Sequence, residues 1–204
     1  MNIAVFASGH GSNFQAILKA IDSGSLPARV VLVISNNVEA GALQIARARE
    51  IRALHISQKM FSSDDAYAKA LMTALKERHT EYIALAGFLK KVPTLVVRQW
   101  RNRIVNIHPA LLPSFGGAGM FGHHVHEAVI ASGVKFSGAT VHFVDEEYDR
   151  GLILLQKTVP VTKDDTPDTL AAKVLKIEHE IYPMALKAIA EQRVTIDGNK
   201  AWIT

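Results

Sequence analysis

Residues 2–37, NIAVFASGHGSNFQAILKAIDSGSLPARVVLVISNN, decide the fold. Residues 2–7 (NIAVFA) are a continuous apolar run of strand length. Phe14, Ile17, Leu18 and Ile21 then recur at i, i+3, i+4 and i+7, which is one stripe of a helix. Residues 29–34 (RVVLVI) form a second strand, rich in β-branched side chains that suit a pleat. Between the first strand and its helix stands Gly9-His10-Gly11-Ser12-Asn13. Backbone N–H groups at a helix N-terminus carry partial positive charge and suit a phosphate. Ser12 and Asn13 add a hydroxyl and an amide, although either residue could equally serve only as a helix cap. A dinucleotide site is not expected. The third glycine of that fingerprint would fall on Phe14, and Ser35-Asn36-Asn37 stands where the ribose-binding acid belongs.

The alternation continues outward. Residues 40–50 read as a helix, 52–56 as a short strand, and Tyr67, Leu71, Ala74 and Leu75 mark another helical face. Residues 82–86 and 103–107 complete five apolar strands. Strands of this kind separated by helices imply an α/β fold, a doubly wound, mostly parallel sheet with helices on both faces. Ligands in such sheets bind beyond the carboxyl ends of the strands. The segments to watch are therefore Ser8–Asn13, Ser35–Asn37, Gly87–Val92 and Asn106–Pro113. After residue 113 a glycine-rich stretch (Gly116, Gly117, Gly119, Gly122) reads as a mobile loop, followed by a helix over 123–132. Strands are expected at 137–144 and 152–161, joined by the acidic loop Asp145–Gly151. A helix is expected over 167–190, kinked or interrupted at Pro183. Residues 194–196 and 201–203 suggest a C-terminal β-hairpin turning at Asp197-Gly198-Asn199. With no repeat or linker, residues 1–204 read as a single domain whose halves meet near residue 100.

Composition narrows the function classes. Of 204 residues, 49% are apolar and 21% charged, which excludes disordered, collagen-like and coiled-coil chains. Lys and Arg number 23 against 19 Asp and Glu, for a net charge of +4. The pI is near 9.3, yet the basic residues are scattered, and the densest cluster is Arg98, Arg101 and Arg103 around Trp100. A mildly basic surface that attracts an anionic small molecule fits this pattern at least as well as a nucleic-acid footprint. The absence of cysteine excludes disulfides, a thiol nucleophile and Cys-ligated zinc. No signal-peptide pattern opens the chain and no stretch is long and apolar enough for a membrane span, so a soluble, cytoplasmic protein is expected.

The strongest chemical constellation is Asn106-Ile107-His108-Pro109. Asn106 and His108 stand at i and i+2, on one side of a strand that Pro109 must end. An amide can hold a carbonyl oxygen, and an imidazole beside it can donate as that oxygen becomes negative. A carboxylate near His108 would raise its pKa and orient it. Spacing leaves open which of Asp145, Glu146, Glu147 and Asp149 does so, and mutual repulsion in that loop suggests mobility. His123-His124-Val125-His126 invites a metal reading, but the three imidazoles cannot share a helix face and no H-E-x-x-H pattern is present, so no metal is expected.

The turn Gly11-Ser12-Asn13, the segment Asn106–Pro113, and Gly138–Val144 continuing through Asp149-Arg150-Gly151 together resemble the folate-dependent phosphoribosylglycinamide formyltransferases of purine biosynthesis. The likeness runs from Met1 to Tyr182-Pro183. It implies a formyltransferase-like fold and formyl transfer from 10-formyltetrahydrofolate, as co-substrate, to the amine of glycinamide ribonucleotide (GAR), without metal, NAD or ATP. Asn106, His108 and Asp149 would be the catalytic trio, with His108 kept protonated by Asp149. Gly11, Ser12, Asn13 and Glu178 would hold GAR. Leu89, Lys90, Lys91, Val92 and Asn106, with Asp145, Glu146, Glu147, Tyr148 and Asp149, would hold the folate, and His142 would support the site. The resemblance implies small-molecule substrates, no nucleic acid or membrane partner, and a monomer or homodimer. Leu175, Asp64 and Lys90 depart from the family pattern, with Lys176 a partial substitute beside Leu175, and the glycine-rich insertion around Gly116–Gly122 is longer than in many relatives. Formyltetrahydrofolate hydrolases share the trio but carry an N-terminal regulatory domain, and tRNA-directed relatives carry a sizeable C-terminal one. The length leads us to expect neither. A non-catalytic phosphate-binding module would need the turn after the first strand but not the trio.

Overall fold

A computed structural model describes residues 1–204 as two compact units, Met1–Val105 and Asn106–Thr204. In order, the elements of the first are β1 (Asn2–Phe6), α1 (Ser12–Asp22), β2 (Arg29–Ser35), α2 (Gly41–Ala48) and β3 (Ala53–His55), then α3 (Asp64–Glu77), β4 (Tyr82–Leu85) and α4 (Thr94–Gln99). Strand β5 (Ile104–His108) crosses into the second, which continues with α5 (His123–Ser132), β6 (Phe136–Phe143), β7 (Ile153–Pro160), α6 (Pro167–Ala190), β8 (Val194–Asp197) and β9 (Lys200–Ile203). The strand order is β3-β2-β1-β4-β5-β6-β7, with β8 and β9 as a separate antiparallel hairpin. The expected α/β architecture with a C-terminal hairpin is what the chain adopts.

In the first unit β1 pairs in parallel with both β2 and β4, and β2 with β3. Residues Ile3–Ala7 are wholly buried, as their apolar run requires, and Phe14 and Ile17 of α1 have no exposed surface. Each such side chain contributes about 1.5–3 kcal/mol by leaving water. The strand order reverses between β1 and β4, which makes the loops after them a switch-point crevice. Two elements escaped the sequence reading, α4 and a single 3₁₀ turn at Gln58–Met60. Helix α4 has only six residues, too few to display a periodic stripe, and Val96, Val97 and Trp100 bury its end.

In the second unit β6 and β7 are antiparallel, with an irregular register at Val141/His142. Of the expected kink or interruption at Pro183, the interruption does not occur: α6 runs through it as one helix. Proline removes the bond to the carbonyl four residues back, at a cost of about 3 kcal/mol. Ile177, Ile181, Tyr182, Ala185, Leu186 and Ile189 of that helix are all buried, and Pro183 itself is part of the buried face. Packing therefore outweighs the lost bond. Thr166 caps the start of α6 by accepting from the Thr169 N–H, with Pro167 at the first helical position. No helix of the protein is long and apolar enough to cross a membrane.

Candidate active site

Around the switch point of the first unit, the groups that meet are mainly backbone. The Ser8 hydroxyl donates to Asn36 Oδ1 (2.5 Å) and accepts the Leu89 N–H (2.9 Å). The Ser8 N–H donates to the Gly87 carbonyl (2.9 Å). One serine thus ties the loops after β1, β2 and β4 together. Gly11 is the N-cap of α1, in the left-handed region at φ 85°, and no side chain caps the helix. Ser12 and Asn13 are therefore not the caps that their residue types suggested, because they already lie inside the first turn. A side chain on Gly11 would press on Ala42 at 3.0 Å, so both conformation and contact demand glycine. Asn13 is buried and Ser12 half-buried, with no acid in the first turn to offset the positive helix end. Leu89, Lys90 and Lys91 are exposed and Val92 is buried.

The second unit gathers side chains from three separate segments. Asn106 and His108 project from the carboxyl end of β5, and His108 is 3% exposed. Asn106 Nδ2 lies 3.1 Å from His142 Nε2 on β6. His142 Nδ1 lies 2.8 Å from the Phe143 carbonyl, which can only accept, so Nδ1 carries a proton. Its Nε2 then serves one partner at a time. As a lone pair it accepts from Asn106, and with a proton it faces Asp149 Oδ1 at 3.6 Å. Asp149 Oδ2 lies 3.7 Å from His108 Nδ1 and accepts the Gly117 N–H at 2.9 Å. Among the four acids left open by spacing, Asp149 is the one that reaches His108. Asp145 instead accepts the Glu147 N–H (2.9 Å) within its own exposed turn. That bond and the Gly117 contact fall near the two ends of the Asp145–Gly151 loop.

Electrostatics corrects one expectation. His108 is not held protonated by Asp149: burial pushes its pKa below the ordinary histidine value, and His142 adds to that push. The pull of Asp149 and of the Phe115 carbonyl is weaker, since the carboxylate stands beyond hydrogen-bond distance. His108 is thus chiefly neutral at pH 7. Its Nε2 lies 2.8 Å from the Phe115 carbonyl, so the single proton resides there and the Nδ1 lone pair faces Asp149. Burial tends to raise the Asp149 pKa. The facing His142 imidazole, the Gly117 N–H and the His108 imidazole together bring it below the ordinary carboxylate value. Asp149 is a carboxylate at neutral pH.

A buried hub holds the strand end in place. Thr140 Oγ1 donates to the Ala110 carbonyl (2.6 Å) and accepts from the Leu112 N–H (3.0 Å) and Gln156 Nε2 (2.9 Å). Gln156 also donates to the Leu112 carbonyl (2.9 Å). Sequence reasoning missed this hub, and it missed Phe115 and Gly117 as partners of His108 and Asp149. The available signal was the glycine run beginning at Gly116, where any side chain would collide with Leu112 and press on Asp149. Glu178 is buried on α6, while Leu175 and Lys176 are exposed on the same helix. His126 is buried and His123 and His124 are exposed, so these imidazoles do not converge.

The cluster offers an amide, a neutral imidazole and a carboxylate at a strand end, with no thiol or activated hydroxyl among them. This suits transfer between two bound molecules better than a covalent enzyme intermediate. The formyl transferase family pattern matches residues 1–186. The phosphoribosylglycinamide formyltransferase (chloroplastic) of Vigna unguiculata is 43% identical over 192 residues, covering 94% of this chain and 62% of its own length. The trifunctional purine biosynthetic protein adenosine-3 of Bos taurus is 39% identical over 99% of this chain, which spans 20% of that protein. The chain therefore spans less than two thirds of these curated relatives. Glycinamide ribonucleotide transformylase 1 from Symbiobacterium toebii superposes with a TM-score of 0.94 at 38% identity, over 100% of this chain and 93% of that one. Sequence pattern, fold and the rim of β5 agree: the chain belongs to the formyl transferase family.

Proposed function

We propose that the protein transfers a formyl group from 10-formyltetrahydrofolate to the primary amine of GAR. The observation that carries this reading is the meeting of Asn106, His108 and Asp149 in a family whose similar members bear that activity in their names. The amine attacks the formyl carbon directly, and the C–N10 bond breaks as N10 takes up a proton. The carbonyl oxygen becomes an oxyanion on the way. Asn106 Nδ2 and the Nε2–H of His108 are the donors for it, a role commonly worth a few kcal/mol. His108 stays neutral and donates its Nε2–H to the oxyanion as a hydrogen bond, so the one proton that moves is the one that leaves the amine for N10. Asp149, a carboxylate throughout, steers the proton from the attacking amine toward N10.

His108 donates its proton to the Phe115 carbonyl, so Phe115 must yield that donor when substrate binds. The segment around Gly116 and Gly117 is accordingly the moving part. His142 orients Asn106 through Nε2. Gly11, Ser12 and Asn13 take the GAR phosphate and Glu178 its glycinamide or ribose. Leu89, Lys90, Lys91 and Val92, with Asp145, Glu146, Glu147 and Tyr148, take the folate. Asp64 lies in the first turn of α3 and accepts from Gln58 Nε2 (2.6 Å), a helix-start role that leaves it unsuited to an anionic folate tail. We place the reaction in the cytoplasm, with no partner beyond the two substrates.

One assay tests the proposal. The protein is mixed with GAR and 10-formyltetrahydrofolate, without ATP or added metal, and loss of the formyl group from the folate is followed by absorbance. Deformylation that requires GAR is expected. Equal deformylation without GAR identifies a hydrolase, and none in either mixture rejects formyl transfer.

A further inference from the structure

At the amino ends of β1, β2 and β3, the opposite strand ends from the Ser8–Asn13 turn, the first unit opens a groove of about 860 Å³. Five arginines line it, Arg29, Arg47, Arg49, Arg52 and Arg78, against three carboxylates, Asp22, Glu50 and Glu77. Arg49 is spent on a bidentate pair with Asp22 (3.0 and 2.8 Å). Arg29, Arg47, Arg52 and Arg78 make no ion pair or side-chain hydrogen bond. Helix ends explain some of them: Arg47 lies in the last turn of α2 and Arg78 caps α3, where cations offset the helix dipole. They do not explain Arg29, the first residue of β2, or Arg52, which immediately precedes β3. Leu18, Ile21 and Val30 add an apolar wall.

We propose that this groove binds a small molecule bearing a diphosphate group, of nucleotide size. The volume lies within the usual 300–1,000 Å³ of small-ligand sites. Guanidinium forks match phosphate oxygens bidentately, and four of them with no carboxylate partner present that geometry without an ion pair to break. The apolar wall accommodates a base or other flat group. A nucleic-acid strand fits less well, since no Phe, Tyr or Trp lines the groove for stacking and His79 is its single ring. The site lies outside the machinery assigned to formyl transfer.

The experiment is calorimetric titration of the whole protein with inorganic pyrophosphate and, separately, with ATP. It is repeated on Arg29→Glu/Arg52→Glu, on the milder Arg29→Gln/Arg52→Gln, and on Ser12→Asp, which disables the proposed phosphate turn of α1. Circular dichroism checks that each variant folds. The expected result is binding that persists in Ser12→Asp, weakens at least about tenfold in Arg29→Glu/Arg52→Glu, and lies between in the glutamine pair, whose formyl transfer is unchanged. Binding lost in Ser12→Asp but kept in both arginine variants overturns the proposal, because the phosphate then sits only on the α1 turn. Absence of binding by either probe at millimolar concentration overturns it too. So does a single-stranded RNA oligomer that competes and binds more tightly than ATP.

Discussion

At the carboxyl end of β1 the working groups belong mostly to the backbone, whereas at the carboxyl end of β5 they are side chains. The first rim is a glycine-capped helix start and a loop amide tied to Ser8, with its geometry set by φ angles and a close approach to Ala42. The second draws Asn106, His108, His142 and Asp149 from three places in the chain, and their charge states follow from how deeply each is buried. A backbone site resists truncation of its side chains and is broken by unwanted charge. A buried side-chain cluster fails when one atom changes and shifts with pH.

The sharpest way to break the comparison is at Asp149. Asp149→Asn keeps the shape and a carbonyl oxygen for the Gly117 N–H, but removes the charge that faces both imidazoles. We expect kcat for GAR formylation to fall roughly 10²–10³-fold, the scale seen when one preorganised electrostatic group is lost, with substrate KM values nearly unchanged. Steady-state rates checked against an unaltered circular dichroism spectrum decide it, and near-normal turnover removes Asp149 from the chemistry.

Next in size is the hub beneath the rim. Thr140→Val has the same shape without the oxygen, leaving the Leu112 N–H and Ala110 carbonyl without their partner in a fully buried place. Unsatisfied buried groups cost about 1–3 kcal/mol each, so about 2–6 kcal/mol of stability should go. Urea unfolding measures it. A loss under about 0.5 kcal/mol would mean that Gln156 takes over both groups.

How much of this was legible follows the same divide. The strands and α1 were readable because buried parallel strands are written as apolar runs and a helix as a stripe, and the switch-point turn follows directly from them. Asn106 and His108 were readable as a pair because i and i+2 share a strand face. The choice of Asp149 among four neighbouring acids was not legible from spacing and came only from the family resemblance, since it depends on how the loop after β6 folds back, with Asp149 itself at φ 55°. Nor was the neutral state of His108, because the sequence names a carboxylate but not the burial that outweighs it. Phe115 acts through its carbonyl and Gly117 through its amide, and side-chain identity says little about such roles.

Two changes at one residue sharpen the backbone half of the comparison. Ser12→Ala should alter the KM for GAR less than about threefold, because most donors at the helix start are N–H groups. Ser12→Asp places a carboxylate against the phosphate, and KM should rise about tenfold or more while kcat moves little. An equal effect from both substitutions would make the hydroxyl the principal ligand and the backbone account wrong.

The smallest expected effect separates the imidazoles from the carboxylate by pH. Burial lowers the pKa values of His108 and His126, whereas in the unfolded chain both titrate near 6.5. As pH falls below about 6.5 toward their folded values, the unfolded chain binds more protons than the native one, so stability that is complete above about pH 7 declines. Asp149 is also lowered, but its loss begins only near the unfolded carboxylate value of about 4. A fall in Tm between pH 7 and 5 therefore reports imidazoles, each contributing at most about 1.4 kcal/mol per pH unit. His126 is the one to remove, since its buried Nδ1 has no hydrogen-bond partner and nothing need be left unsatisfied. His126→Leu should match the parent within about 1 kcal/mol at pH 7 and exceed it at pH 5, flattening the Tm profile. Parallel profiles would show that His126 takes up its proton as readily in the folded chain as in the unfolded one, leaving the acid sensitivity to His108 and His179, whose pKa values burial also lowers.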